Sequence, residues 1–269
     1  MRQLRLKKAM IMLFKPLALL DLDDTLFQTA KHLPADQLKH VASHNSAGAP
    51  LGWMTDRQQQ FWQWLQASTE VIPVTARSLD GLARVQLPLH SWAVCQHGAV
   101  IVQPDGQLEP TWHAHMQQVL TPLLPELQQM LSDIQSDPHR PDSVRAWIAV
   151  EQDLSIYIII KQLPDAPYFA QFMAKMTEYP DFYLHINGNT AALLPNVVSK
   201  VAAVQHVLSI LNPNQQRVVL GWGDSLSDVA FLQQCDWWGM PQRSQASAWV
   251  DHQLTMYVAQ TGAYDFAGR

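Results

Sequence analysis

The sequence predicts an α/β protein: a doubly wound, Rossmann-like core on a parallel sheet, interrupted by an inserted α+β domain. Three observations carry that reading. The runs LALLDL at 17–22, VIPVT at 71–75 and RVVLGW at 217–222 are short and continuously apolar, as strands buried on both faces must be. Helical spacing follows or precedes each of them, giving the strand, crossover, strand order of a parallel sheet. From about residue 113 to 187 the pattern switches to helices and β-branched stretches joined by short turns, which is the pattern of a separate layer against an antiparallel sheet. The length, 269 residues, exceeds one average domain and falls short of two, so the core is expected at 1–112 and 188–269 and the insert at 113–187.

Taken in order, the first twenty residues pair a basic start with an apolar run. Lys15 and Pro16 interrupt that run and no small-x-small cleavage pattern follows, so it is read as a ragged end of about 14 residues rather than a signal peptide. No stretch reaches the ~18 uninterrupted apolar residues of a membrane span. After the first strand, the polar segment 28–54, with Gly48, Pro50 and Gly52, reads as a long loop with one short helix. A helix over 56–67 places Phe61, Trp62 and Leu65 on one face, with Asp56 as its N-cap. Strands are expected at 91–95 and 99–103, with Pro104, Asp105 and Gly106 supplying a turn. The insert begins with a helix over 113–135 that contains proline, then a DPHRPD loop, strands at 144–150 and 155–161, a helix near 167–178, and strands near 182–186 and 190–194. The alternation returns with a helix over 199–211 opened by Ser199, strand 217–222, a helix over 225–234, and short strands near 236–240 and 248–251. The tryptophans, among them Trp62, Trp64, Trp222, Trp237 and Trp238, are read as packing residues.

Composition narrows function. Acidic residues number 23 against 18 basic ones, a net charge of −5, which carries no general electrostatic footprint for nucleic acid. Two cysteines, Cys95 and Cys235, sit in apolar stretches without metal or redox spacing, as reduced core thiols would. The expectation is a cytoplasmic protein in which any anionic substrate needs local positive groups.

Four segments stand at the predicted carboxyl ends of core strands, where open α/β sheets place their ligands. They are DLDDT at 21–25, Thr75 ending VIPVT, Lys200 in the first turn of its helix, and GDSLSD at 223–228, where Asp224 and Asp228 lie one helical turn apart. Carboxylates so crowded repel one another unless a cation sits among them, and an oxygen-only donor set suits Mg²⁺ holding a phosphate oxygen. A lysine and a hydroxyl beside it are suited to the other phosphate oxygens. One aspartate is then available as a nucleophile. The chemistry is phosphoryl transfer.

DLDDTLF, VIPVTAR, the lone lysine of VSK and GWGDSLSD, in that order, resemble the four motifs of the haloacid dehalogenase (HAD) superfamily of phosphohydrolases. The insert between the second and third motifs resembles the subgroup whose α/β cap lies there, which includes phosphatases of sucrose phosphate, trehalose phosphate and mannosylphosphoglycerate. CQHGAVIVQPDG resembles the NGA hairpin of that subgroup, with His97 where asparagine is expected. The resemblance implies Asp21 as nucleophile and Mg²⁺ ligand, and Asp23 as general acid and then base, its backbone carbonyl on the metal. It implies Thr75 on the transferring phosphoryl group, Lys200 neutralising charge there, and Asp224 with Asp228 completing the metal site. Arg77 is expected to contact an anion or bridge two motifs, and Arg145, His185, Asn187 and Asn189 are cap residues able to reach a sugar hydroxyl. His113 and His115 lack helical metal spacing. The segment 28–54 is longer than that subgroup's and is expected to cover the site in part or to contact a partner.

Three rivals stand beside the expected phosphatase of a small phosphorylated metabolite. Phosphosugar mutases of this kind carry a smaller helical cap between the first two motifs, which the position of the insert opposes. A Mg²⁺-binding regulatory domain of the receiver type uses similar residues, but is about half as long and lacks an inserted domain; a catalytically silent relative is opposed by the complete acidic set.

Overall fold

A computed structural model describes residues 15–163, 168–173 and 176–261; residues 1–14, read from sequence as a ragged end, lie outside the described residues. The chain starts with β1 (Leu17–Leu20), fully buried. Next come β2 (Gln28–Thr29), β3 (His40–His44) and β4 (Pro50–Met54), then helix α1 (Asp56–Ser68) and β5 (Glu70–Pro73). A short helix α2 (Leu79–Ala83) leads to β6 (Ala93–Cys95) and β7 (Val100–Val102). Helices α3 (Pro110–Leu120) and α4 (Leu124–Ser136) follow, then β8 (Arg145–Glu151), β9 (Leu154–Lys161), α5 (Tyr168–Met173), β10 (Phe182–Asn187) and β11 (Thr190–Pro195). The remainder is α6 (Lys200–Leu211), β12 (Val219–Trp222), α7 (Leu226–Leu232), β13 (Trp237–Gly239) and α8 (Gln245–Thr261).

The core sheet runs β13-β12-β1-β5, all parallel, and a Val74–Val94 bridge carries it on toward β6. The central strand β1 has apolar layers on both sides: Leu17 and Leu19 face one cluster, Ala18 and Leu20 the other. Such two-sided burial explains why the run contains no polar residue. A second sheet, β10-β11-β9-β8, is antiparallel. Its Ile158, Ile160, Ala191 and Leu193 pack on α4 and α5, while Tyr157, Ala149, Ala192 and Leu194 pack toward the core. We refer to this sheet and its helices as the cap. Because β11 belongs to it, the cap sheet runs to Pro195, and the sequence division at 187 falls inside a β-hairpin.

Local chemistry corrects several expectations. Segment 28–54 is not a loop but a three-stranded antiparallel sheet, β2-β4-β3, with two short 3₁₀ turns. Its strands are short and its pairing shifts between Val41, Ser43 and His44, so no clean polar-apolar alternation marks it. The N-cap of α1 is Thr55 rather than Asp56: its hydroxyl accepts from the Gln58 N–H while the Gln58 side chain accepts from the Thr55 N–H. The expected strand 248–251 lies inside helix α8, whose Ser244 hydroxyl accepts from the Ser247 N–H; the helix-forming Gln and Ala around a short SAWV run prevail. The proline-containing helix is broken into α3 and α4 by a 3₁₀ turn at Thr121–Leu123. Trp62 is core, whereas Trp64, Trp237 and Trp238 are exposed.

Candidate active site

The site forms where β1, β5 and β12 end. Asp21 follows β1 directly, and its N–H donates to the Trp222 carbonyl at 2.9 Å, so the first motif is pinned to the strand that delivers the fourth. The chain then turns through Asp24, which is left-handed at φ 61°, and this returns Thr25 to the carboxylates. The buried Thr25 hydroxyl lies 3.0 Å from Asp21 Oδ2 and 3.2 Å from Asp224 Oδ1.

Lys200 opens α6 behind the Ser199 N-cap. Its Nζ donates to Asp21 Oδ1 at 2.9 Å and to Asp228 Oδ1 at 2.7 Å. Gly98 makes this approach possible. It has φ +105°, and a Cβ there would lie 2.3 Å from the Ser199 carbonyl oxygen. Its own carbonyl accepts from the Trp112 indole at 2.9 Å. Asp228, in the first turn of α7, in turn caps that helix, accepting from the Ser225 N–H at 3.0 Å and hydroxyl at 2.7 Å. Gly223 leaves room for it, since a Cβ there would lie 2.5 Å from that of Asp228.

Thr75 is buried beyond β5, its N–H donating to the Val94 carbonyl and its hydroxyl oxygen accepting from the Arg77 N–H. Arg77 is the expected bridge between motifs: its Nε and Nη2 donate to the two oxygens of Asp23 at 2.6 and 2.7 Å. The extra sheet supports this fork. Ser43 of β3 stands 3.4 Å from Arg77 Nη2, and the guanidinium lies 5.1 Å from the centre of the Phe27 ring.

The cap closes one side. His185, Ile186, Asn187 and Gly188, at the β10 hairpin, line a cavity of about 210 Å³ together with Asp21, Asp23, Thr75, Lys200, Asp224 and Asp228. Arg145 is not in its lining: it stands exposed on β8, at the far edge of the cap sheet, and Asn189 is likewise absent. Sequence reasoning assigned no role to Thr25, Ser227 or Gln245, although the threonine of DLDDT was a usable signal. His97, left-handed at φ 56°, is wedged edge-on between Tyr157 and His185. Gln96 ties this region to the cap, accepting from the Tyr157 hydroxyl at 2.7 Å and donating to Glu151 at 3.1 Å.

The electrostatics follow from burial and crowding. Burial pushes the Asp21 carboxyl well up; Lys200 opposes this, while Asp228 and Asp224 add to it. Asp224 is pushed up to about 7 by burial, then by Asp228 and Asp24. Burial would raise Asp228 too, but the Lys200 charge and the donors from Lys200 and Ser225 outweigh it, and its carboxyl lies below the usual range. Burial would lower Lys200, but Asp21 and Asp228 prevail and hold it protonated. Burial, Lys200 and His185 push the His97 ring down, and burial and then Lys200 push His185 down.

Asp21, Asp224 and Asp228 each offer an oxygen, all within 4.8 Å of one another. Three carboxylates share one ammonium, and two of them are pushed toward the neutral form, so this donor set fits a hard divalent cation. The Asp23 carboxylate is not among the three donors; Arg77 holds it.

Known structures share this architecture. The sucrose-phosphatase from Synechocystis sp. PCC6803, solved with sucrose and phosphate, aligns with a TM-score of 0.52 and 17% identity over 91% of this chain and 98% of that one. The haloacid dehalogenase-like hydrolase yhjK from Bacillus subtilis aligns with a TM-score of 0.50 and 13% identity over 92% of each chain. The chain has the haloacid dehalogenase-like fold. No protein-family model and no curated protein sequence matches it. On this fold all four resembling motifs, 21–25, 75, 200 and 223–228, converge on one cavity. No helix among the described residues is long and apolar enough to cross a membrane.

Proposed function

We propose that this chain is a Mg²⁺-dependent phosphatase that hydrolyses a small phosphomonoester, a sugar phosphate, through an aspartyl-phosphate on Asp21. The observation that carries the reading is the meeting of Asp21, Thr75, Lys200 and the Asp224–Asp228 pair in one cavity with Asp23 at its rim. Asp21, Asp224 and Asp228 would hold Mg²⁺, joined by the Asp23 backbone carbonyl; when bound, the cation neutralises charge on the phosphoryl oxygens.

The protein groups do the rest. The Asp21 carboxylate attacks phosphorus, and the bond from phosphorus to the leaving oxygen breaks. Thr75 and Lys200 stabilise the equatorial oxygens, an electrostatic contribution made without reorganisation. Asp23, having taken up a proton from solvent on an oxygen released by Arg77, donates it to the leaving oxygen and later takes one from the water that hydrolyses the aspartyl-phosphate. To do so Asp23 must give up part of its Arg77 fork. The neutral His185 and Asn187 suit sugar hydroxyls, and the cap side of the cavity limits bulk water. The free thiols and the net charge of −5 fit a cytoplasmic enzyme for a small metabolite, without nucleic acid.

Phosphate release from a panel of phosphosugars and phosphoglycerate derivatives, with Mg²⁺ and with chelator, beside Asp21→Asn, tests this. The expected result is turnover abolished by chelator and by the substitution. Absence of phosphate release from every member would overturn it.

A further inference from the structure

The register of the cap sheet sorts its core-facing residues into rows. One row is His185, Ala192, Ile159 and Trp147, each directly opposite the next across β10, β11, β9 and β8. The next row outward is Asn187, Thr190, Lys161 and Arg145. Directly opposed residues share a face. The face is settled by Ala192 and Ile159, which pack with the core cluster, whereas their neighbours Ile158, Ile160 and Leu193 pack on the cap helices. Each row therefore begins at the cavity, with His185 or Asn187; the inner row is covered by the core at Ala192 and Ile159, and the outer row runs to the exposed Lys161 and Arg145.

Arg145 and Lys161 are the anomaly. Two like charges directly opposite in an antiparallel pair destabilise the sheet. Neither has an ion-pair partner among the described residues, in a chain whose acidic residues outnumber its basic ones. Trp147, two residues along β8 on the same face, leaves 40% of its surface exposed. An opposed cation pair beside an open indole, on the same sheet face as His185 and Asn187, offers two charged donors next to an apolar surface.

We infer that the outer row is a second anion subsite, at which Arg145 and Lys161 bind a carboxylate or phosphate borne by the leaving group and Trp147 covers the carbons between. This rests on the phosphatase reading and deepens it. Lys161 stands two strands from Asn187 and Arg145 three, about 10 and 14 Å at the usual strand spacing. The substrate class is thus an acidic sugar phosphate.

The test compares matched substrates: 6-phosphogluconate against glucose 6-phosphate for a carboxylate, and fructose 1,6-bisphosphate against fructose 6-phosphate for a phosphate. Wild type is expected to favour an acidic member by roughly tenfold or more in kcat/KM, mostly through KM. In the double variant Arg145→Gln with Lys161→Gln that ratio is expected to fall toward one, with a melting temperature no lower than wild type because an opposed like-charge pair is gone. Trp147→Ala is expected to raise KM for the same acidic member. Whichever pair shows the preference identifies the anion. Calorimetric binding of 6-phosphogluconate and fructose 1,6-bisphosphate to Asp21→Asn, with and without the two glutamines, decides the matter even if no substrate is turned over: binding that the glutamines abolish supports the subsite while the phosphatase reading fails. Equal turnover of acidic and neutral members, a ratio unmoved in the double variant, or binding of the two anions absent or indifferent to the glutamines would overturn it.

Discussion

Arg77 grips both carboxylate oxygens of Asp23, at 2.6 and 2.7 Å, while its own N–H donates to the Thr75 hydroxyl. The first two motifs are thereby one rigid unit. A planar fork does this and an ammonium does not. Arg77→Lys is expected to keep the charge and lose the geometry, lowering kcat by about tenfold to a hundredfold, the range over which misplaced proton-transfer groups are felt. The check is steady-state kinetics of Arg77→Lys beside Arg77→Gln. If Lys restored wild-type kcat, charge alone would be sufficient and the positioning role would be lost.

Gly98 is the point at which the β6–β7 hairpin touches the start of α6. Alanine there meets a backbone carbonyl at 2.3 Å and a left-handed φ together, so neither relaxation alone relieves it. Gly98→Ala is expected to cost about 1–3 kcal/mol and to displace Lys200 from Asp21. Chemical denaturation reads the first effect, and Mg²⁺-dependent phosphate release the second. A variant of unchanged stability and activity would show that the close approach is dispensable.

Acidic crowding predicts a pH-dependent response to metal. Asp224 titrates near 7 in the fold and near its ordinary value when unfolded, and Asp21 is raised as well, so between about 4 and 7 the folded metal-free chain holds more protons than the unfolded one. Stability contributed by these groups is therefore full at low pH and lost as pH rises through 7. A divalent cation that needs the ionised form reverses this loss. The melting temperature gained on adding Mg²⁺ is expected to be larger at pH 7.5 than at pH 5, and small for Asp224→Asn. Equal shifts at both pH values would separate the cation from these carboxylates.

The core and the convergence of the site residues were legible because each is written locally. Buried parallel strands must be apolar throughout, and the site residues sit within a few positions of their ends, so Asp21, Thr75, Lys200, Asp224 and Asp228 can be read in order along the chain. What escaped depends on partners distant in sequence. The β3–β4 pairing is hidden by its own bulge, since polar Ser43 is buried beneath Arg77 while the apolar Leu51 is exposed. Helix α8 was obscured by one β-like dipeptide, Trp249–Val250. Among the cap candidates, hydropathy gave Arg145 and His185 the same standing, and only the strand order places one at the cavity and the other at the opposite edge.

The site also dates its own assembly. Thr25 and Asp224, hydrogen-bonded in the finished molecule, are 199 residues apart in the chain, and β1 lies between β5, which emerges early, and β12, which emerges late. During synthesis the first strand must wait with one edge unpaired until the whole cap has been made. A partly made chain holds Asp21 but neither Lys200 nor Asp224 and Asp228, so the site cannot assemble before translation has passed Asp228. The same delay leaves an apolar strand edge exposed for most of that time, which makes the interval before β12 docks the moment at which this protein is most open to aggregation.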